Sequence, residues 1–235
     1  MGTWIELAVE DGTRMRAYCA AAAGVIRSGQ GAIVLQEAFG VNPHIRDVTE
    51  RLAREGYTAI APELYHRTGA GFEGDYDDFG AAMPHMHAMT AAGQELDLRA
   101  AAAWLRRQGA EALVAAGFCM GGRVAVRAAA ALRLRAAASF YGGSLLSLRE
   151  LVASISAPLL LVWGDQDRHI PLPQREQFAG LLRAAGKDFV ECTFSAADHG
   201  FFCDARPSFH PASAAVAWEL LLSFLKTSAG DGATG

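Results

Sequence analysis

Short apolar runs, separated by polar and alanine-rich segments, organise the chain. Residues 3–22 hold two runs of alternating apolar and polar residues on either side of Asp11 and Gly12, a pair suited to the positive φ angles of a tight turn. These runs predict an antiparallel hairpin of edge strands. Six later runs are continuous rather than alternating, which is typical of strands buried on both faces of a parallel sheet. They are 31–37, 57–64, 111–117, 136–142, 158–164 and 188–194.

Helical segments fall between these strands. Asn42 followed by Pro43 is a typical helix start and predicts a helix over 43–55, and apolar residues near helical spacing predict one long helix over 86–108. Strands that alternate with helices predict an α/β fold, with a mostly parallel central sheet covered by helices on both faces.

The extent of the domain follows from the same pattern. We expect a single domain over 1–226, followed by a small, polar and disordered tail over 227–235. The connection 65–85 is polar, glycine-rich and long for a linker, so it is predicted to form a functional cap or lid.

Composition narrows the class of protein. The chain has 235 residues, of which 51% are hydrophobic, and a net charge of −4 with its basic residues scattered. The sequence therefore shows no basic face of the kind that binds nucleic acid or an anionic membrane. The first residues lack a secretory signal pattern, and no apolar run approaches the roughly 18 residues of a membrane span. We expect a cytoplasmic monomer or small homo-oligomer with a small-molecule partner.

Metal and disulfide chemistry have little support in the sequence. The chain contains no C-x-x-C pair, so neither a disulfide framework nor a zinc knuckle is indicated; its four cysteines are Cys19, Cys119, Cys192 and Cys203. The histidines His85, His87 and His210 lack the spacing of metal ligands, and no metal or cofactor is expected.

The stretch GFCMGGR, residues 117–123, carries the most specific signal. It places Cys119 between Gly117 and Gly121, after a predicted strand and before a helix-forming segment. A G-x-nucleophile-x-G turn of this kind holds the central residue in strained geometry and exposes its side chain. The helix N-terminus favours the thiolate form of a cysteine. The alternative is a buried cysteine in an accidental glycine turn.

Two later segments offer partners for this thiol. WGDQDRHIP, 163–171, supplies carboxylates after a predicted strand, where α/β sheets build their sites, and His199 follows the last predicted strand. Nucleophile, acid and histidine then occur in the chain order of α/β-hydrolase triads. Asp167 and Asp165 compete as the acid, whereas Asp198, beside the histidine, is interpreted as a turn or capping residue.

Four blocks together resemble the dienelactone hydrolase family, a cysteine branch of the α/β hydrolases: LQEAFGVN (35–42), GFCMGGR, GDQDRHIP and the segment 199–225. The resemblance implies an ester or lactone hydrolase in which Cys119 attacks the carbonyl and a thioester forms. It makes Asp167 the acid that orients His199. It also implies that Glu37 controls the ionisation of the thiol and that the backbone N–H groups of Ala38 and Met120 form the oxyanion hole; the alternative for Glu37 is a solvated carboxylate at a strand end.

Substrate recognition departs from the family pattern. The arginine that holds a substrate carboxylate in the best-known members has no clear counterpart, and the candidate substrate contacts are Phe39, Arg67, Phe201 and Arg206. A small-molecule carboxylesterase or thioesterase is the nearest alternative. A non-catalytic hydrolase-fold binding protein and a redox-active thiol protein are alternatives of other classes, but the first would be expected to lose a triad residue and the second to carry a resolving cysteine nearby.

Overall fold

A computed structural model describes residues 1–21 and 29–228. The chain divides into two compact units, Met1–Val114 and Ala115–Gly235. Within the described residues, none of the helices combines the length and the apolar character that crossing a membrane requires.

The first unit is built on four strands in the order β1-β2-β4-β3. β1 and β2 form the predicted antiparallel hairpin, with Gly12 at a φ of 85° in its turn. β2 is not an edge strand as predicted, because it also pairs with β4, whereas β3 and β4 run parallel. The bounds are Thr3–Ala8 for β1, Arg14–Ala20 for β2, Gln30–Leu35 for β3 and Thr58–Pro62 for β4.

The described helices of this unit are α1 (Pro43–Arg54), α2 (His66–Gly69), α3 (Phe79–Ala88) and α4 (Ala91–Arg107). The Asn42 side chain caps α1 by accepting a hydrogen bond from the Ile45 N–H, as the sequence suggested. The prediction of one helix over 86–108 was wrong. Met89 is extended and ends α3, and Thr90 starts a new helix by accepting a hydrogen bond from the Gly93 N–H.

The strands of the second unit lie in the order β5-β6-β7-β8, and β6, β7 and β8 run parallel to one another. β6 and β7 are buried along their whole length, as continuous apolar runs predict. The bounds are Ala112–Phe118 for β5, Ala136–Phe140 for β6, Leu159–Gly164 for β7 and Phe189–Phe194 for β8.

The helices described in this unit are α5 (Met120–Ala131), a 3-10 helix (Leu145–Ser154), α6 (Leu172–Ala184) and α7 (Pro211–Thr227). Alternation of these helices with parallel strands, and an antiparallel hairpin at the N-terminus, confirm the predicted α/β class. The predicted tail starts too early, since Thr227 belongs to α7, and residues 229–235 lie outside the described part of the chain.

Candidate active site

Cys119 occupies a sharp turn between β5 and α5. Its backbone has a φ of 53° and a ψ of −117°, a region that residues other than glycine rarely adopt. A Cβ atom at Gly117 would collide with the backbone of Gly121, and one at Gly122 would lie 2.8 Å from the Cα of Gly142. Glycines are therefore required here because the strand, the helix and the neighbouring loop approach one another too closely for side chains.

Three side chains meet at this turn. The Nε2 atom of His199 lies 3.1 Å from the Sγ atom of Cys119, and its Nδ1 atom lies 2.7 Å from the Oδ2 atom of Asp167. The three residues follow the ends of β5, β7 and β8. Gly164 allows the loop that carries His199 to lie close to the end of β7, because a Cβ at Gly164 would lie 2.5 Å from the carbonyl oxygen of Ala197.

The three aspartates of this region have different partners. Asp167 is only 5% exposed, and its second oxygen, Oδ1, accepts a hydrogen bond from the His169 N–H at 2.8 Å. Asp165 instead forms an ion pair with Arg175 at 3.2 Å, and the side chain of Asp198 accepts a hydrogen bond from the His199 N–H. Only Asp167 among them contacts the imidazole ring in the described structure.

The two ring partners change the protonation of the site. Burial works against a charged imidazole, but hydrogen bonds to Asp167 and Cys119 outweigh it and raise the pKa of His199 to about 10. Burial would likewise raise the pKa of Asp167, yet the hydrogen bond and positive charge of His199, with the His169 N–H, hold that pKa below its ordinary range. The charged imidazolium of His199 is thus favoured once the proton of the Cys119 thiol has moved to Nε2, with an ionised carboxylate behind it.

Two residues at the site were not singled out from the sequence. The ring of Tyr141 meets the His199 ring edge-on, with 5.1 Å between centroids, and its backbone φ is 38°. Tyr141 follows β6, so its place at the carboxyl end of a parallel strand was a usable signal. His169 contributes a backbone N–H to Asp167, and its ring lies edge-on to the His199 ring, with 5.3 Å between centroids.

Two predicted substrate contacts of the second unit differ in their surroundings. Phe201 is fully buried between the rings of Tyr141 and Phe194, so its role in this structure is packing rather than an open contact. Arg206 is half-buried, and its guanidinium lies directly over Gly200, next to His199 in the chain. Met120, whose N–H was predicted to serve the oxyanion hole, is the first residue of α5.

The predicted residues of the first unit follow β3. Glu37 and Ala38 are completely buried, and this burial rules out the alternative of a solvated carboxylate at the strand end for Glu37. Phe39 packs in a small cluster with Ala38 and Ala82, and its ring lies edge-on to Tyr76, with 4.7 Å between centroids. Part of the 65–85 connection thus covers the end of β3 within this unit.

Arg67 does not fit the prediction of a substrate contact. Its guanidinium donates two hydrogen bonds to the carboxylate of Asp97, at 2.8 and 2.9 Å, and another to Asp11. A cation already shared by two carboxylates is a structural ion-pair residue, because binding a third would require breaking one of these contacts.

Two of the histidines that lack the spacing of metal ligands, His85 and His210, form hydrogen bonds within the protein. The side chain of His210 caps α7 by accepting a hydrogen bond from the Ser213 N–H, and His85 bonds to the hydroxyl of Thr68. The first contact fixes the start of α7, and the second joins α3 to α2.

Parallel strands that lead into a nucleophile elbow, with a histidine and a carboxylate after later strands, define the α/β hydrolases. The sequence profile of the dienelactone hydrolase family matches residues 15–229, and the chain belongs to that family. The predicted family, fold class and enzyme class are thereby confirmed.

Individual relatives agree with this assignment. A protein of Escherichia coli K12 named "Putative carboxymethylenebutenolidase" is 39% identical over 210 residues, covering 84% of this chain and 77% of that protein. One of the same name from Synechocystis is 37% identical, covering 83% and 85%. The crystal structure of a "Putative Dienelactone Hydrolase" from Klebsiella pneumoniae is also similar, with a TM-score of 0.85 and 34% identity. The match covers 96% of this chain and 98% of the Klebsiella chain.

Proposed function

We propose that this protein hydrolyses a small ester or lactone through a thioester on Cys119, with His199 and Asp167 as its catalytic partners. The observation that carries the proposal is the chain of contacts from sulfur to imidazole to carboxylate, 3.1 Å and 2.7 Å long, at a strained strand-to-helix turn. Nucleophile, base and orienting acid within hydrogen-bond reach are the signature of covalent catalysis.

The first half of the reaction forms the thioester. Proton transfer from sulfur to Nε2 gives a thiolate and an imidazolium, which Asp167 stabilises through Nδ1–H. The thiolate attacks the carbonyl carbon, and the electron pair of the C=O bond moves onto oxygen, where the N–H groups of Ala38 and Met120 are proposed to bind it. When the tetrahedral intermediate collapses, the alkoxide or enolate leaves and takes the proton from Nε2.

The second half releases the acid. A water molecule gives its proton to Nε2 of His199 as its oxygen attacks the thioester carbonyl. The second tetrahedral intermediate then expels the Cys119 sulfur, which recovers the proton. In a lactone both products remain in one molecule, so the net change is ring opening by one water.

The substrate is proposed to carry a good leaving group, such as the enol oxygen of an enol-lactone. A thiolate is itself a good leaving group, so esters with poor leaving groups would return to starting material more often than they would acylate the enzyme. Arg206 is the proposed contact for an anionic part of the substrate, because its guanidinium lies over Gly200, the residue that follows His199 in the chain. Arg67 is held by two carboxylates and is not proposed for this role.

Glu37 is proposed to control the resting thiol, as the family pattern implies. Its complete burial supports a specific role, since an ionisable side chain is rarely placed fully inside a protein without one. We further propose that the protein acts in the cytoplasm as a monomer or small homo-oligomer.

The proposal is tested by hydrolysis of three substrate classes, an enol-lactone, a p-nitrophenyl ester and an acyl thioester, by wild type and by Cys119→Ala. We expect the enol-lactone to be the best substrate and Cys119→Ala to hydrolyse none of them. Cys192→Ala is the matched control, because Cys192 is also a half-buried free thiol but lies on β8. Preference for the thioester would favour the thioesterase alternative, and an active Cys119→Ala would overturn the mechanism.

A further inference from the structure

Hydrogen bonds hold the two ring nitrogens of His199. Its Nδ1 atom bonds to Asp167 and its Nε2 atom to the sulfur of Cys119. A hydrogen bond loses little strength when its angle departs by about 30° from linear, and the χ2 torsion of a histidine is broad. Catalytic groups must be held within about 10–20° of their productive orientation. The two hydrogen bonds therefore leave the tilt of the ring incompletely fixed, and a further contact has to restrict it.

Two other rings lie edge-on to this imidazole. The centroid of the Tyr141 ring is 5.1 Å from that of His199, with an interplanar angle of 62°, and the His169 ring lies at 5.3 Å and 73°. Both separations are in the range in which ring pairs attract each other. Tyr141 is completely buried, whereas His169 is exposed, and exposed side chains change rotamer readily. Tyr141 is therefore the ring that can restrict the tilt of His199.

The backbone around Tyr141 is anchored on both sides. Its N–H donates a hydrogen bond to the carbonyl of Val162 at 2.8 Å, and the carbonyl of Phe140 accepts one from the Cys119 N–H at 3.0 Å. These bonds tie this part of the chain to β7 and to the nucleophile elbow. The Tyr141 ring also packs edge-on against Phe201, with 5.6 Å between centroids. The ring that contacts the imidazole is thus itself held in place.

The backbone conformation of Tyr141 is unfavourable for its residue type. Its φ is 38°, in the region that favours glycine. A bulky residue at positive φ is a strained outlier that persists where the surrounding structure holds it, and such residues cluster at active sites. We propose that Tyr141 is a positioning residue whose buried ring fixes the tilt of the His199 imidazole so that Nε2 faces the sulfur of Cys119, a role that rests on the hydrolysis proposed above.

Replacement of the ring tests this role. Tyr141→Leu removes the flat ring but keeps an apolar side chain, and Tyr141→Gly removes the ring and also relieves the strain at a φ of 38°. We expect kcat for enol-lactone hydrolysis to fall by roughly 10- to 100-fold in both variants, with KM within about twofold of wild type. Tyr141→Phe keeps the ring and should retain kcat within about threefold of wild type. Each variant is assayed at a temperature at which its circular dichroism spectrum is that of the folded protein.

Phe178→Leu is the matched control for the loss of a buried ring. Phe178 lies on α6 in the same unit and is 1% exposed, and it makes no ring contact with His199 in the described part of the chain. This variant should lose stability, as Tyr141→Leu does, but should keep a kcat near that of wild type. A purely structural role for Tyr141 would instead lower kcat no more than Phe178→Leu does.

A second measurement reports the orientation of the imidazole without turnover. The proton shared by Nδ1 of His199 and Asp167 gives a low-field NMR resonance in the resting protein. This resonance should be retained in Tyr141→Phe and Phe178→Leu, and it should be shifted or lost in Tyr141→Leu and Tyr141→Gly. Equal hydrolysis by wild type and Cys119→Ala would refute the proposed function, whereas the NMR comparison would still show whether Tyr141 orients the ring.

Three results would overturn the inference about Tyr141. The first is a kcat in Tyr141→Leu and Tyr141→Gly that falls no further than in Phe178→Leu. The second is an unchanged low-field resonance in both ring-deleted variants. The third is a loss of kcat in Tyr141→Phe as large as that in Tyr141→Leu, because the effect would then belong to the hydroxyl group rather than to the ring.

Discussion

Replacing Asp167 with asparagine tests the role of the buried carboxylate. Both oxygens of Asp167 accept hydrogen bonds, Oδ2 from the imidazole and Oδ1 from the His169 N–H. An asparagine has one oxygen and one NH2 group, so one of these two donors must face another donor. Either the imidazole is forced into the wrong tautomer or the loop that carries residue 167 loses its anchor.

The size of the effect can be worked out from these bonds. A hydrogen bond to a charged group contributes about 1.5–3 kcal/mol, and losing one in the transition state would slow turnover by roughly 10- to 150-fold. Adoption of the wrong tautomer would increase the loss to about 10⁴-fold. We therefore expect Asp167→Asn to lower kcat/KM by about 10² to 10⁴, with little change in the circular dichroism spectrum.

Asp165→Asn is the matched control. Its carboxylate is half-exposed and bonds to Arg175 rather than to the imidazole, so its replacement leaves the hydrogen bond that orients His199 intact. Initial rates of enol-lactone hydrolysis for the two variants should differ by at least about tenfold. Equal losses, or a larger loss for Asp165→Asn, would refute the assignment of Asp167 as the orienting acid.

Further predictions concern stability, the thiol, the elbow and the buried glutamate. The pKa of His199 is raised from 6.5 to about 10 and that of Asp167 is lowered from 3.8, so the pair contributes its full stability between about pH 4 and 6.5. This stability is lost as the pH rises through about 10, or as it falls through the lowered pKa of the Asp167 carboxyl. Urea unfolding of wild type and Asp167→Asn across this pH range should show the difference. Iodoacetamide should inactivate the enzyme in proportion to the alkylation of Cys119 found by peptide mass spectrometry, and full activity after complete alkylation there would contradict the assignment. Gly117→Ala should abolish turnover and destabilise the fold by about 2 kcal/mol or more. Gly180→Ala is the control, because Gly180 lies in a helix and a Cβ there would have no neighbouring atom within 4 Å; this variant should unfold at the same urea concentration as wild type or at a higher one. Glu37→Gln should lower turnover and shift the thiolate absorbance titration to lower pH, with Cys119→Ala as the blank; unchanged titration and turnover would remove Glu37 from the mechanism.

Much of the fold could be predicted because its signals are local. The continuous apolar strands, the Asp11–Gly12 turn and the Asn42 cap each depend on a few neighbouring residues. The break at Met89 and Thr90 was missed because the alanine-rich sequence around it favours helix on both sides, and a single threonine cap decides where the second helix begins.

The candidate site also contains some features that local sequence predicts and others that it does not. The strained backbone of Cys119 could be foreseen because only closely spaced glycines permit such a turn. The partners of Arg67 and Phe201 could not be foreseen, since they lie on residues that no sequence motif links to them. Arg67 is paired with Asp11 and Asp97, and Phe201 is enclosed by other rings, so neither presents the open surface that its residue type suggested.

The central claim is that Cys119 carries the acyl group during turnover. Rapid acid quenching of wild-type enzyme with an enol-lactone or a p-nitrophenyl ester, followed by mass spectrometry of the intact protein and its peptides, measures this directly. We predict one acyl group per chain, attached to the peptide that contains Cys119. This group should form and be lost at rates no slower than steady-state turnover and should be absent in Cys119→Ala. Steady hydrolysis with an acyl group on another residue, or continued turnover by Cys119→Ala, would contradict it.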